Sequence, residues 1–264
     1  MKTLSPSREY HNLYHIEEYK IVNSIFKEDT NFEFMNHGYH PIDDSLIDSS
    51  ILFKNCATLY LHVISKLNLD SVKSILEVGC GRGGGMSLIR DMYNIKDICG
   101  CDITQENIDY CIKNHKNIEF KVQDACDLNY DKKFDVILNI ESSHCYADIK
   151  KFFQKVVKFL KNDGFFLYVD IFSAENINSV KDTLLKNFFI LEEEDITENV
   201  YLSCKNSIKI LEQNLKMKEN NFDACNLMLD VFKEKEITYK YKNNIFYIFV
   251  CKPNRIAKVY DYFR

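Results

Sequence analysis

The feature that most constrains the fold is a glycine-rich turn that joins an apolar segment to a helix-forming segment. Residues 74–85 read SILEVGCGRGGG and hold five of the chain's eight glycines. The apolar run ends at Gly79, and helix-forming residues resume at Met86. Glycine lets the backbone reverse within a few residues and lets a ligand approach closely, because a Cβ would block both. The pattern predicts a buried strand, a tight turn and a helix, as at the start of a nucleotide-binding βα unit.

Composition and charge favour a globular protein without a nucleic-acid partner. A chain of 264 residues fits one domain with an added lid. Its formal net charge of -5 provides no basic footprint for DNA or RNA. The first residues lack the apolar core of a signal peptide, and no apolar run reaches the roughly 20 residues of a membrane span. We therefore expect a cytoplasmic protein with no membrane span; a homo-oligomer is compatible with the sequence.

Neither the cysteines nor the histidines have the spacing of a metal site. The ten cysteines are scattered and include no Cys-x-x-Cys pair, so we interpret them as reduced core residues. The histidine pairs His11/His15 and His37/His40 lack carboxylate or thiolate companions at suitable spacing. We expect these histidines to be packing or surface residues, and we expect no metal.

Beyond residue 72, predicted strands alternate with predicted helices. The apolar runs predict strands at 74–79, 97–102, 118–122, 134–140, 165–169, 188–191 and 245–250. Helices are predicted at 84–93, 104–114, 147–160 and 174–187, and a longer helical stretch at about 198–235. Strands separated by helices favour a parallel sheet that is covered on both faces. If the last two strands pair, the insert between them, at about 198–240, lies over the end of the sheet as a lid.

The first 70 residues have a helical pattern and are interpreted as an N-terminal cap on a domain at 71–264. The segment 32–41 contains both Gly and Pro, and it is predicted to be a loop. Ser49 or Ser50 is a suitable cap for the helix that follows it.

The glycine turn formally matches a dinucleotide-binding fingerprint. Gly79, Gly81 and Gly84 have the Gly-x-Gly-x-x-Gly spacing, and Asp102 lies near the distance expected for a ribose-binding acid. A match of this kind is weak by itself, so the nature of the ligand depends on the residues around it.

Three features disfavour a nicotinamide dinucleotide. Glu77 precedes the first glycine by two residues, where a carboxylate would repel a pyrophosphate but attract a cationic amino acid head. A further acid, Asp124, follows the third predicted strand, where it can accept a hydrogen bond from an adenine amino group. The chain also ends in two strands with an insert rather than in a second βαβαβ half.

These residues resemble the class I S-adenosylmethionine-dependent methyltransferases, whose pattern is an acid, a Gly-x-Gly loop, an acid ending strand 2 and an acid after strand 3. The resemblance covers about 74–250. It implies an α/β, Rossmann-like fold with a seven-stranded, mostly parallel sheet whose last strand is antiparallel. Helices would cover both faces, with an N-terminal helical extension and a helical lid between strands 6 and 7. It also implies S-adenosylmethionine as cofactor.

The resemblance further assigns residues to the parts of the cofactor. Gly79 and Gly81 would lie against its amino acid part, Asp102 at the ribose hydroxyls, and Asp124 with Ala125 at the adenine. The full implied cofactor set is Tyr39, Glu77, Gly79, Cys80, Gly81, Asp102, Ile103, Asp124, Ala125 and Asn139.

The segment 139–146, NIESSHCY, follows strand 4 and should face the ligand, since ligands of open α/β sheets lie outside the carboxyl ends of the strands. It lacks the Asn/Asp-Pro-Pro-aromatic run typical of enzymes that methylate nucleic-acid bases. It resembles the corresponding segment of bacterial natural-product methyltransferases, which act on phenolic glycolipids and sugar hydroxyls. Residues 35–39, MNHGY, resemble their Asn-x-Gly-Tyr loop over the cofactor, although His40 stands where Trp is frequent.

His144 is the best candidate for a general base. Methyl transfer to oxygen depends mainly on alignment, and a positioned base adds roughly 10²–10⁴-fold. The unperturbed pKa of histidine, about 6.5, suits this role. Related sugar O-methyltransferases have such a His after strand 4 and an Asp ending strand 5, which corresponds to Asp170 here. Asp170 would orient the imidazole, and Glu141 is interpreted as a helix cap rather than a second acid.

The predicted function is methyl transfer to a hydroxyl of a small, partly apolar molecule. The acceptor would lie between the N-terminal helices and the insert, whose candidate lining residues are Tyr14, Tyr19, Phe32, Phe34, Tyr201, Leu227 and Phe232. The alternatives are N- or C-methylation, an NAD-dependent oxidoreductase, and a protein that binds the cofactor without catalysis.

Overall fold

The fold is a single seven-stranded sheet with helices on both sides. The structure is a computed structural model that describes residues 8–26, 32–42, 54–217, 222–241 and 243–255. The strands are β1 (Ser74–Val78), β2 (Asp97–Asp102), β3 (Glu119–Val122), β4 (Phe134–Ile140), β5 (Leu160–Ser173), β6 (Phe188–Asp195) and β7 (Asn244–Pro253). The helices are α1 (Arg8–Ile25), α2 (Lys54–Ile64), α3 (Gly84–Met92), α4 (Gln105–Asn114), α5 (Ile149–Phe159), α6 (Ile177–Leu185), α7 (Thr197–Met217) and α8 (Phe222–Lys240).

The strand directions confirm the predicted mostly parallel, seven-stranded sheet with an antiparallel last strand. The strands lie in the order β3-β2-β1-β4-β5-β7-β6. The pairs among β1 to β5 are parallel, whereas β7 is antiparallel to both of its neighbours, β5 and β6. The carboxyl ends of β1, β2 and β4 therefore meet at one edge of the sheet, where ligands bind in folds of this kind.

Alternation along the strands divides the core between the two faces of the sheet. In β1, Ile75 packs in the cluster on one face, and Leu76 and Val78 pack in the cluster on the other. The first cluster includes residues of α2, α3, α7 and α8, and the second includes residues of α5 and α6. Burying each large apolar side chain stabilises the fold by roughly 1.5–3 kcal/mol. Helix α2, assigned above to the N-terminal cap, contributes fully to the core of the sheet.

The observed bounds differ from the predicted ones mainly in the last third of the chain. The insert is two helices, α7 and α8, rather than one helical stretch. Strand β6 continues beyond its apolar start to Asp195 through the acidic run 192–195. Charged residues are common on edge strands because they discourage pairing with other chains. A prediction based on apolar runs therefore misses this part of the strand. The predicted cap at Ser49 or Ser50 lies outside the described residues.

The described cysteines are free thiols, and all of them except the half-buried Cys145 are buried. Among the described residues, no three His, Cys, Asp or Glu side chains are grouped as a metal ion would require. In the same part of the chain, no helix combines the length and the apolar character needed to cross a membrane.

Candidate active site

The glycine turn is held against the end of β2 by its own backbone. The amides of Gly79 and Cys80 donate to the carbonyl of Cys101 at 2.7 and 3.0 Å. Gly79 and Gly81 have φ angles of +74° and +52°, in the left-handed region that favours glycine. A Cβ on Gly79 would also overlap the Ser142 side chain. The turn therefore requires glycine for its conformation and for the close approach of the loop after β4.

Asp102 organises the end of β2. Its carboxylate accepts hydrogen bonds from the Gly81 amide at 3.0 Å, the Thr104 amide at 2.9 Å and Asn107 Nδ2 at 3.2 Å. Burial raises the pKa of Asp102, and these hydrogen bonds oppose the shift. The carboxylate thus links the glycine turn to the start of α4.

One cavity lies at the carboxyl edge of the sheet and gathers most of the predicted cofactor residues. Those that line it are Gly79, Cys80, Gly81, Asp102, Ile103, Asp124 and Ala125. Asp124 accepts a hydrogen bond from the Cys126 amide at 2.7 Å and thereby caps the short 3₁₀ turn Ala125–Asp127. The acids that end β2 and follow β3 therefore share one cavity with the glycine turn.

Glu77 is not among the residues that line this cavity. Because side chains alternate along β1, Glu77 is directed to the face covered by α2, where it is fully buried. Tyr60 Oη donates to its Oε1 at 2.7 Å. Burial, opposed by the Tyr60 hydrogen bond and reinforced by Asp102, raises the pKa of Glu77 to about 8. The prediction directed the Glu77 carboxylate toward the ligand's amino acid head, whereas the structure has a buried carboxyl group behind Tyr60, which itself lines the cavity.

The buried Glu77 predicts a specific pH dependence of stability. The ordinary pKa of glutamate is near 4.5, and the folded value for Glu77 is near 8. Between these two pH values the folded protein holds a proton on Glu77 that the unfolded chain has already released. The free energy of unfolding therefore falls as pH rises through this window. Glu77→Gln removes the titration but keeps an acceptor for Tyr60. Its stability relative to wild type should rise by roughly 2–5 kcal/mol between pH 4.5 and pH 8.

Urea unfolding of wild type and E77Q at pH 5, 6.5 and 8 measures this difference. Glu175→Gln, at an exposed glutamate, is the matched control and should follow the wild-type curve. Parallel curves for wild type and E77Q would contradict a proton held on Glu77.

Two further predicted cofactor residues, Asn139 and Tyr39, also lie outside the cavity lining. Asn139 donates from Nδ2 to the Val78 carbonyl at 2.8 Å and to Tyr146 Oη at 2.9 Å, so it braces β4 against β1. The Tyr39 ring stacks on His62 with centroids 4.1 Å apart. The 35–39 segment still reaches the cavity, but through Met35 and Asn36 rather than through Tyr39.

Several residues that line the cavity were absent from the predicted cofactor set. His15 and Tyr19 come from α1, and Tyr60 comes from α2. No sequence motif marks them, because the packing of these helices against the glycine turn decides their position. Five further lining residues lie in the segments after β2, β3 and β4: Thr104, Asn107, Gln123, Ser142 and Cys145.

His144 and Asp170 form a hydrogen-bonded pair between the ends of β4 and β5. His144 Nδ1 lies 2.7 Å from Asp170 Oδ1, and the His144 amide donates to Oδ2 at 3.0 Å. Ser143 Oγ also donates to Oδ2, and Asp170 is fully buried. Burial disfavours the charged imidazole, but the Asp170 carboxylate outweighs it and raises the pKa of His144 to about 11. The predicted partners are thus in direct contact, with His144 exposed at the surface and Asp170 beneath it.

Glu141 is not the helix cap predicted from the sequence. Its φ of +48° is in the left-handed region, and the residue lines the cavity. The carboxylate accepts from the His37 amide at 2.9 and 3.1 Å and contacts His37 Nδ1 at 2.5 Å. Helix α5 is capped instead by Asp148, which accepts from the Lys151 amide. His37, expected to be a packing or surface residue, therefore joins Glu141 beside the cavity.

Most of the candidate acceptor-lining residues belong to the packed interior. Phe32 and Phe232 are buried, and Phe34, Tyr201 and Leu227 are partly buried against apolar clusters. Tyr14 is exposed, and Tyr19 lines the cavity.

Comparisons with known proteins agree with this fold. Residues 76–168 match the family model described as "Methyltransferase domain". A fatty-acid O-methyltransferase of Mycolicibacterium smegmatis is 35% identical over 158 residues, which cover 58% of this chain and 57% of that protein. A phthiotriol/phenolphthiotriol dimycocerosates methyltransferase of Mycobacterium tuberculosis is 35% identical over 144 residues, 52% of this chain and 53% of that protein. The aligned part of the chain thus spans little more than half the length of these relatives.

A solved structure extends the likeness of fold to almost the whole chain. The mycolic acid cyclopropane synthase CmaA1, complexed with SAH, has a TM-score of 0.71 at 14% identity, covering 94% of this chain and 99% of that one. The domain match favours methyl transfer over the dinucleotide oxidoreductase alternative. Residues 76–168 thus match a methyltransferase domain, and the fold around them agrees with the resemblance of the chain to the class I S-adenosylmethionine-dependent methyltransferases.

Proposed function

We propose that the protein transfers a methyl group from S-adenosylmethionine to an oxygen atom of a small, partly apolar molecule. The observation that carries this proposal is the hydrogen-bonded His144–Asp170 pair at the carboxyl edge of the sheet. It places an imidazole that can exchange a proton beside the cavity that the cofactor residues line. The names of the two relatives, which describe methyl transfer to a fatty acid and to phthiotriols, support a lipid-like acceptor.

The cavity suits the charge and shape of S-adenosylmethionine, which carries a sulfonium and an ammonium cation. Three acidic residues, Asp102, Asp124 and Glu141, line it. The backbone at Gly79 and Gly81 is free of side chains, so that a ligand can approach it closely. We assign Asp102 to the ribose hydroxyls, Asp124 with Ala125 to the adenine, and the glycine turn to the amino acid part. The cofactor supplies an activated methyl carbon, and the protein must align the acceptor oxygen with it.

In this proposal His144 is the catalytic residue that handles the acceptor proton. Asp170 accepts the Nδ1 hydrogen and fixes the ring, so Nε2 is the nitrogen that meets the acceptor. A hydroxyl acceptor would give its proton to Nε2 as it takes up the methyl group that the bound cofactor would supply. Asp170 does not contact the acceptor and acts as a positioning residue.

A second candidate acceptor is a carboxylic acid. Asp170 raises the pKa of His144 to about 11, so the imidazolium form is favoured at neutral pH. An imidazolium attracts and orients a carboxylate, which is already ionised and needs no base to become a nucleophile. The fatty-acid O-methyltransferase among the relatives supports this acceptor class.

A direct test is methyl transfer from labelled S-adenosylmethionine to a matched pair of acceptors, a long-chain alcohol and the fatty acid of the same chain length. We expect an ether from the alcohol or a methyl ester from the acid, identified by mass spectrometry. A panel of amines and alkenes of similar size serves as the comparison. Methyl transfer to nitrogen or carbon only, or cofactor binding without transfer to any acceptor, would overturn the proposed O-methylation.

A further inference from the structure

The segment 34–41, here called the strap, forms part of the wall of the cofactor cavity. Met35 and Asn36 line the cavity, and Met35 Sδ lies 3.0 Å from the position that a Cβ on Gly81 would occupy. The strap therefore passes directly over the glycine turn. The contacts that hold the strap in this position therefore determine whether this part of the cavity wall is in place.

On one side, the strap is bonded to the first turns of α2. The Tyr39 amide donates to the Asn55 carbonyl at 2.9 Å. Cys56 Sγ donates to the Asn36 carbonyl at 3.1 Å, and Asn36 Nδ2 donates to the Cys56 carbonyl at 3.4 Å. Because α2 packs in the core of the sheet, this side is anchored to the domain itself.

On the other side, the strap is bonded to α7, the first helix of the insert. Ser203 Oγ donates to the His37 carbonyl at 2.6 Å. Asn199 Nδ2 donates to the His40 carbonyl at 3.0 Å, and the His40 amide donates to the Asn199 carbonyl at 3.2 Å. Both side chains are buried, and neither lines the cavity.

Gly38 shows how tightly the strap fits between these two helices. Its φ is +81°, and a Cβ would lie 2.5 Å from Ser203 Oγ and 2.8 Å from the Asn55 backbone. The strap therefore has no room to shift sideways while α7 keeps its place. Glu141 adds a third attachment from the loop after β4, since it accepts the His37 amide and contacts the His37 ring.

We infer that Ser203 and Asn199 are positioning residues for cofactor binding. They hold the strap over the glycine turn from the insert, although they are not part of the cavity. The insert thus acts on the cofactor site through the strap, and loosening the bonds between them weakens cofactor affinity. The inference concerns cofactor binding alone and stands whichever acceptor the protein uses.

The test is the dissociation constant of S-adenosylhomocysteine, measured by calorimetry, for wild type, Ser203→Ala and Asn199→Ala. Loss of one buried hydrogen bond to the strap should weaken binding by about three- to tenfold in each variant. Ser207→Ala is the matched control, because Ser207 is a buried serine one turn further along α7. It should bind within about twofold of wild type.

Two readouts separate the strap from a general loss of stability. In the S203A complex, hydrogen exchange should become faster at the His37, Tyr39 and His40 amides and stay unchanged in α5. In a double-mutant cycle, S203A and Glu141→Gln should be non-additive, because both act on the strap at His37. The inference would be overturned if S203A and N199A both bound S-adenosylhomocysteine with wild-type affinity, or if S207A weakened binding equally. Unchanged hydrogen exchange at the strap amides of S203A would also overturn it.

Discussion

Replacing His144 with glutamine is expected to lower the rate of methyl transfer by about 10²–10⁴-fold, the usual contribution of a positioned acid–base group. Glutamine has a similar reach and keeps polar atoms beside Asp170, but it does not exchange a proton at ordinary pH. Cofactor affinity should change by less than about twofold, because His144 is not among the residues that line the cavity. The measurements are single-turnover rates with a responsive acceptor and S-adenosylhomocysteine affinity by calorimetry.

The pH profile of the same reaction distinguishes the two acceptor classes. Asp170 raises the pKa of His144 to about 11, so the ring loses its proton only at alkaline pH. A hydroxyl acceptor needs the neutral ring, and its rate should therefore rise as pH increases toward that value. A carboxylate acceptor needs the imidazolium, and its rate should be level near neutral pH and fall in the alkaline range.

Asp170→Asn tests whether the titration of His144 causes the rise or the fall of the rate with pH. Without the carboxylate the pKa of His144 falls. The rise of the rate with a hydroxyl acceptor, or its fall with a carboxylate acceptor, should therefore move to lower pH. Ser143 and the His144 amide also lose an ionised acceptor, so circular dichroism must first show that D170N is folded. A pH profile that D170N leaves in place, or an H144Q rate within threefold of wild type, would contradict the proposed role of the pair.

The second large effect is expected at the end of β2. Asp102→Asn should weaken S-adenosylhomocysteine binding by about 10²-fold, since hydrogen bonds to a charged group contribute about 1.5–3 kcal/mol each. The substitution weakens the proposed bonds to the ribose and also the bond to the Gly81 amide that shapes the glycine turn. Isothermal titration with the purified protein measures the change.

Asp97→Asn is the matched control for this experiment. Asp97 is the same residue type at the opposite end of the same strand, where it pairs with Lys132 at the surface. The control should bind within about twofold of wild type, because surface ion pairs contribute little. Equal affinities of D102N and wild type would contradict the assignment of Asp102 to the cofactor. Equal weakening by D97N would show that the effect arises from β2 as a whole.

The central part of the site could be predicted from local sequence. Gly79, Gly81 and Asp102 lie at the ends of adjacent parallel strands, and the fold class alone brings such ends to one edge. The same rule places His144 after β4 and Asp170 late in the neighbouring β5, and the structure joins them at 2.7 Å. Residues are predictable in this way when strand order determines their position.

Other parts of the site depend on which helix covers which face. Glu77 has the expected position in the chain, but it alternates to the face under α2 and is covered by Tyr60. Tyr39 belongs to the expected loop, yet its ring turns to His62, and Asn36 reaches the cavity instead. These outcomes follow from contacts between segments far apart in the chain, which no local pattern contains.

The sequence by itself determined the order of strands and helices, the glycine turn, the acids around it and the His–Asp pair. These features are set by side-chain periodicity, glycine conformation and strand polarity, which are local properties. Only the tertiary structure decided that α1 and α2 contribute to the cavity, that Glu141 binds His37, and that α7 holds the strap over the glycine turn. The physical reason is that each of these contacts requires two segments to bury their surfaces against each other. The packing energy depends on both segments together, so it cannot be inferred from the sequence of either segment alone.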